Sequence, residues 1–146
     1  FITDNYGLDS NYQVMLWFAT AERMIAQHKY DSAFVLFDSI QIAFPYHALS
    51  DEILHRKGQA MEQQGQWQRA LGYYEDLLKL HADDILADDA LFRMAEINDL
   101  ILLDKVLAES LYKRLLMEYK ASLYGSEARK RIRLLRGDAL SESEEI

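Results

Sequence analysis

Residues 54–77 read LHRKGQAMEQQGQWQRALGYYEDL, and their pattern recurs on both sides. Leu54 has Trp17 37 residues before it and Leu91 37 residues after it. Gly58 is flanked in the same way by Ala21 and Ala95. Ala70 follows Ala33 by 37 residues, and Ala108 follows Ala70 by 38. A fixed period of this size marks a stacked-repeat chain, in which each unit is one supersecondary piece that buries its apolar face against the next. Chains of this kind commonly work through their surface rather than through a catalytic pocket.

Each unit reads as two helices. Val14, Trp17, Phe18, Ala21, Met24, Ile25 and His28 keep the three-and-four spacing of a buried helical face. The rhythm resumes at Tyr30 and runs through Ala33, Phe37, Ile40 and Phe44 until Pro45 stops it. The same reading predicts helices over about 48–64, 67–80, 85–102, 104–119 and 123–136. Ser10, His47, Asp84 and Ser122 recur as helix starts, 37, 37 and 38 residues apart. Three of them carry an oxygen able to accept from the orphan amides of a first turn, whereas His47 predicts a weaker start. Gly65 and Gly137 stand where helix C-termini favour glycine. The units are therefore about 10–46, 47–83 and 84–121, with a cap over 122–137. Residues 1–9 read as an arm or the end of an upstream region, and 138–146 as an acidic flexible tail.

Composition narrows the function. The 146 residues suit one domain, and half of them are hydrophobic, enough for a sizeable core. No stretch reaches the ~20 apolar residues of a bilayer span, so no direct membrane insertion is expected. The chain opens Phe1-Ile2-Thr3 without an initiator methionine and reads as a piece of a larger protein. The absence of cysteine excludes a disulfide framework, thiol catalysis and cysteine-ligated zinc. A net charge of −8 disfavours nucleic acid, which needs a basic face. The basic run Arg129, Lys130, Arg131, Arg133 and Arg136 reads as the solvated face of the last helix, with lipid headgroups or an acidic partner as the alternative. His28, His47, His55 and His81 lack metal-ligand spacing, and Asp83, Asp84, Asp88 and Asp89 lack the glycine and distal glutamate of a calcium loop. No cofactor, no metal and no enzymatic activity are expected.

These positions resemble the tetratricopeptide repeat, whose units follow W-x2-L-G-x2-Y, then A-x3-F, then P. The second unit matches best, through Leu54, Gly58, Met61, Gly65, Trp67, Ala70, Tyr74 and Leu77. The first supplies Trp17, Ala21, Met24, Tyr30, Ala33, Phe37, Ile40 and Pro45, and the third Leu91, Ala95, Ala108, Tyr112 and Leu115. The chain departs from the pattern in a period of 37–38 rather than 34. The surplus is placed as an extra turn at Ala48-Leu49, Ile85-Leu86 and Leu123-Tyr124, and Asn98 stands where an aromatic is usual. The resemblance implies an all-α, right-handed superhelix of three helix pairs plus a C-terminal capping helix. The longer unit, with FPYHALSDEIL and ADDALFRMAEI, is similar to repeats of bacterial envelope proteins such as the assembly lipoprotein BamD and the Tol-Pal coordinating protein. That likeness points towards a bacterial cell envelope, in the periplasm.

The resemblance also implies a non-catalytic scaffold that binds along a concave surface lined by the first helix of each unit. Mapped here, that surface is Met15, Phe18, Glu22 and Ile25, then Glu52, His55, Gln59 and Glu62, then Asp89, Phe92, Glu96 and Asp99. Six of these are acids and none is Lys or Arg, so either a solvated polar face or a groove for a basic or amphipathic protein segment is implied. Leu100, Ile101, Leu102 and Leu103 form an apolar run at a turn. Either the final helix and the extra turn bury them, or they contact a partner or a second copy in a homodimer. A structural oligomerisation module and a regulatory domain attached to an enzyme are the other functional classes.

Overall fold

The computed structural model describes residues 2–137, with side chains from residue 10 onward. Its described residues hold helices and turns without a strand: α1 (Ile2–Ala26), α2 (Tyr30–Ala43), α3 (Ser50–Gln63), α4 (Trp67–Leu80), α5 (Ala87–Glu96), α6 (Lys105–Glu118) and α7 (Gly125–Leu135). A π turn, Ile97–Ile101, extends α5. Helices pack mainly on their neighbours in the chain: α1 on α2, α3 on α4, α5 on α6, α6 on α7, and α4 on α5. The backbone is helical from Ile2, so the segment 1–9 expected as an arm is mostly the first part of α1. The predicted tail 138–146 lies outside the described residues.

The small residues sit where helices approach. Ala21, Ala33, Ala70, Ala95 and Ala108 are fully buried. At Gly58 an added Cβ would fall 2.5 Å from Tyr74 Cε1 and 2.7 Å from Cζ. That ring is buried, and its hydroxyl donates to Glu62, so it has little freedom to retreat. Overpacking of this kind costs about 1–3 kcal/mol, against about 1 kcal/mol gained by replacing a mid-helix glycine. Gly58→Ala is therefore expected to destabilise by about 1 kcal/mol, read as a lower urea midpoint; a higher midpoint would show that the ring moves aside.

Ser10 lies inside α1 and starts nothing. The other three expected starts head a turn that precedes the helix. His47 O accepts from Ser50 N (3.0 Å), Asp84 O from Ala87 N (3.0 Å) and Ser122 O from Gly125 N (3.2 Å). In each case the same side chain also accepts from the amide two residues on: Nδ1 of His47 from Leu49, Oδ1 of Asp84 from Leu86, Oγ of Ser122 from Tyr124, at 3.0–3.1 Å. This turn is where the surplus residues of the long period go. His47 is not the weak member, because an unprotonated imidazole nitrogen accepts as the oxygens do.

The junction inside each unit also repeats. His28, Gly65 and Leu103 all take a left-handed backbone, with φ of 62°, 70° and 59°. Lys29 N then bonds to Met24 O and Gln66 N to Met61 O, both at 2.8 Å, closing each first helix in the Schellman manner. In the third unit the bond reaches one residue further, from Asp104 N to Asn98 O at 2.8 Å. The intervening π turn holds the residue that lengthens the period from 37 to 38, since a π turn absorbs one insertion without breaking the helix. Leucine pays for the left-handed region with a Cβ clash that glycine avoids. Leu103→Gly is expected to raise stability by about 0.5–1 kcal/mol after glycine's own entropic cost, measured as a higher thermal midpoint.

The interior falls into two clusters. Val14, Phe18, Ala21, Ala33, Phe37 and Ile40 of α1 and α2 enclose Ile53 of α3. The larger cluster runs from Leu54 to Ile132 through α3–α7. Across the seam Phe34 meets Tyr73 edge-on at 6.0 Å. The buried Lys57 Nζ donates to Asp38 Oδ1 (2.5 Å) and Gln41 Oε1 (2.7 Å), and lies over the Phe34 and Tyr73 rings at 5.6 and 5.5 Å.

Candidate functional site

The first helices α1, α3 and α5 line one side of the array, with α7 closing its end. Three hollows along it share walls. Glu22, Ile25, Ala26, Arg56, Gln59 and Gln63 line the first. Asp51, Glu52, His55, Arg56, Ile85 and Leu86 line the second. The third, of about 450 Å³, is bounded by His55, Gln59, Ile85, Leu86, Asp88, Asp89 and residues 121–124. Arg56 belongs to the first two, His55, Ile85 and Leu86 to the last two, and Gln59 to the first and third.

Of the predicted groove residues, Met15 is exposed, while Glu22, Ile25, Glu52, Gln59, Glu62, Asp89 and Glu96 are partly exposed. Four are buried instead. Phe18 packs on Phe37 at 5.8 Å, and Phe92 stacks on Tyr124 at 4.6 Å with the rings nearly parallel. His55 is buried with its Nε2 2.5 Å from Asp89 Oδ2. Asp99 is fully buried: it accepts from Tyr112 Oη (2.9 Å), Arg131 Nε (2.7 Å) and Lys105 Nζ (3.1 Å). Asp99 keeps the place that Glu62 holds one unit earlier: a tyrosine of the next helix and an arginine of the following unit bond each of them, Tyr74 and Arg93 on Glu62, Tyr112 and Arg131 on Asp99, and Lys105 adds a third partner to Asp99. Burial alone would push its carboxyl up, but hydrogen bonds from Arg131, Lys105 and Tyr112 outweigh it and hold the group below the usual range.

Ion pairs also reshape the acidic face. Glu22 Oε2 lies 3.0 Å from Arg56 Nε. Glu62 accepts from Tyr74 Oη and from Arg93 Nε (2.7 Å), and Arg93 reaches Glu96 at 3.2 Å. Asp89 takes His55 and Tyr124, the latter at 2.5 Å; the His55 bond above all keeps its carboxyl below the ordinary value. Glu52 is the one member of the six with no ion pair among the described residues. Arg56 and Arg93 were not in the predicted set, because each falls one position beyond the assigned face, next to His55 and Phe92.

A carboxyl pair was also missed. Asp51, only 7 % exposed, lies close to Asp84, which stands in the turn before α5. Burial first, and Asp84 second, push the Asp51 carboxyl above the usual range. The two residues are 33 apart in sequence, and the turn headed by Asp84 is what brings them together.

Leu100, Ile101, Leu102 and Leu103 are 54 %, 39 %, 36 % and 63 % exposed, so neither the last helix nor the extra turn buries them. Val106 and Leu107, in the first turn of α6, extend the patch. The basic run 129–136 is partly taken up within the chain, through Arg131 on the buried Asp99 and, at the surface, Arg136 Nε on Glu109 at 3.0 Å. Among the described residues no helix is long and apolar enough to cross a membrane, and no group of His, Asp and Glu side chains is placed to hold a metal ion. Neither a scan against protein-family models nor a search of curated proteins finds a match to this chain.

Proposed function

We propose that this chain is a tetratricopeptide-type scaffold, its helix pairs stacked in a right-handed superhelix, that binds a basic or amphipathic segment of another protein along the face formed by α1, α3 and α5. The observation that carries the reading is the run of joined hollows from Glu22 to Tyr124, on whose wall Asp51 and Glu52 make no ion pair among the described residues. Opposite charge steers such a segment to the face and fixes its register.

The test is binding to arrayed peptides of equal length that are basic amphipathic, acidic amphipathic or neutral. Basic amphipathic peptides are expected to be retained, and to be released by salt as the Debye length shrinks from ~10 Å at 0.1 M to ~3 Å at 1 M. Glu52→Lys should weaken retention several-fold, the effect of about 1 kcal/mol at a partly exposed charge. Glu62 is a poor choice for reversal, because it holds Tyr74 and Arg93 within the fold. Equal retention of acidic peptides would remove the reading.

A second reading rests on a separate observation. The exposed Leu100–Leu103 turn, extended by Val106 and Leu107, suits self-association. Sedimentation across a range of concentrations decides it, and a monomer at every concentration excludes the homodimer.

A further inference from the structure

The turn that lengthens each unit does more than fill space. Its second residue is Ala48 in the first instance, Ile85 in the next and Leu123 in the last, at spacings of 37 and 38. Ile85 is 88 % exposed and Leu123 95 %. Neither is needed to close the core, and both project where one unit meets the next. They stand on the wall of the same hollow, the third of the three, one unit apart.

The surroundings of Ile85 are one-sided in charge. On one flank is the hollow of Asp51, Glu52, His55 and Arg56. On the other is a hollow lined by Asp83, Asp84, Asp88, Glu118 and Tyr119. Arg56, the cation among these residues, already faces Glu22 and donates to Gln59 at 3.2 Å. Asp51 is more than nine-tenths buried on the wall of the first of these hollows, beside Glu52, and the Asp84 carboxyl is near enough to push it up. Two carboxyls this close, one of them buried, favour a proton or a cation between them.

We propose that the cleft between the second and third units receives a lysine or arginine side chain of a partner protein, set against Asp51, Glu52 and Asp84, while apolar residues on either side of that cation rest on Ile85 and Leu123. This deepens the scaffold reading and rests on it. The occupant is a basic residue flanked by apolar ones, not merely a basic segment. A site with only the acids would not distinguish such a segment from any polycation, and one with only the apolar tips would not favour charge. Ala48 offers no such tip at the preceding boundary, which places the contact at the C-terminal half of the face.

The experiment uses a fluorescent, capped peptide of alternating leucine and lysine, with counterparts carrying norleucine for lysine or serine for leucine. Binding is followed by anisotropy against the whole chain. The leucine–lysine peptide is expected to bind, and each counterpart to lose at least fivefold in affinity. The double variant Ile85→Ser, Leu123→Ser and the single variant Asp51→Asn should each lose a similar factor. Asp76→Asn, which removes one charge from an exposed position on α4, should lose none. Thermal midpoints keep folding separate: the serine changes are at the surface, and Asp51→Asn removes a like-charge contact, so no midpoint should fall. Equal losses in Asp51→Asn and Asp76→Asn would reduce the effect to bulk charge and overturn the cleft. Binding that survives all the cleft changes but falls in Glu22→Lys would also overturn it while leaving the wider groove intact. If no peptide binds, both readings fail.

Discussion

Asp99→Ala is expected to cost about 3 kcal/mol, at the lower end of the 3–5 kcal/mol seen when one partner of a buried charge pair is removed. The side chain is fully buried and ties three elements together: the π turn, α6 through Lys105 and Tyr112, and α7 through Arg131. Its removal strands the hydroxyl of Tyr112, itself fully buried, and leaves Arg131 with its charge uncompensated near the core. Lys105 is half-exposed and turns to water, which is why the lower end applies. The check is the urea midpoint of the purified variant. A fall of less than about 1 kcal/mol would mean that the network adds little beyond the packing around it. The same residue predicts an acid limb. Its carboxyl is depressed in the folded chain, as is that of Asp89. The stabilisation is thus complete above the unfolded carboxyl value of about 4 and is lost as pH falls through the lower folded values. Asp99→Ala should flatten that acid dependence, leaving the share due to Asp89 and the other depressed carboxyls, Asp84 and Glu109.

Phe37→Ala is expected to lose about 3–5 kcal/mol, the range for deleting a fully buried aromatic side chain. Phe37 is inaccessible to solvent and lies between Phe18 at 5.8 Å and Phe34 at 6.4 Å. Trp17 makes the contrast. Its position in the repeat predicts an equal role, yet it is only partly buried, against Phe44 at 6.4 Å. Trp17→Ala should cost about half as much, in proportion to the area withdrawn from water. Thermal unfolding of the two variants side by side gives the answer, and equal losses would show that burial is not what separates them.

Much of the fold could be read directly from the chain because helical periodicity depends on residues close in sequence. The spacing of Ala33, Ala70 and Ala108 locates the second helices, and Trp67 to Leu80 matches its predicted bounds. The left-handed junction was legible only at Gly65. His28 and Leu103 adopt the same backbone, but nothing in their side chains announces it. The change from 37 to 38 residues already contained the π turn, between Ala95 and Ala108. The partners that enclose Asp99, Tyr112 and Arg131, lie 13 and 32 residues further on, and Asp99 was mapped to the surface for that reason. The candidate site was less legible. Glu62–Arg93, His55–Asp89 and Asp51–Asp84 join residues 31–34 apart, and only the stacking of successive units makes them neighbours.

The divided interior gives the array a joint. North of the seam stand α1 and α2, with Ile53 of α3 set into their core; south of it stands the rest, and the Phe34 ring and a single embedded ammonium, Lys57, cross between them. Flexing there would change the space between Glu22 and Arg56 sooner than the cleft between Ile85 and Leu123, which lies wholly on the far side. A visitor long enough to lie over both parts would lock the angle, and a short one would leave it swinging. Amide hydrogen exchange in α2 should therefore slow when a long ligand is bound and stay fast with a short one, which makes reach a property this molecule can measure.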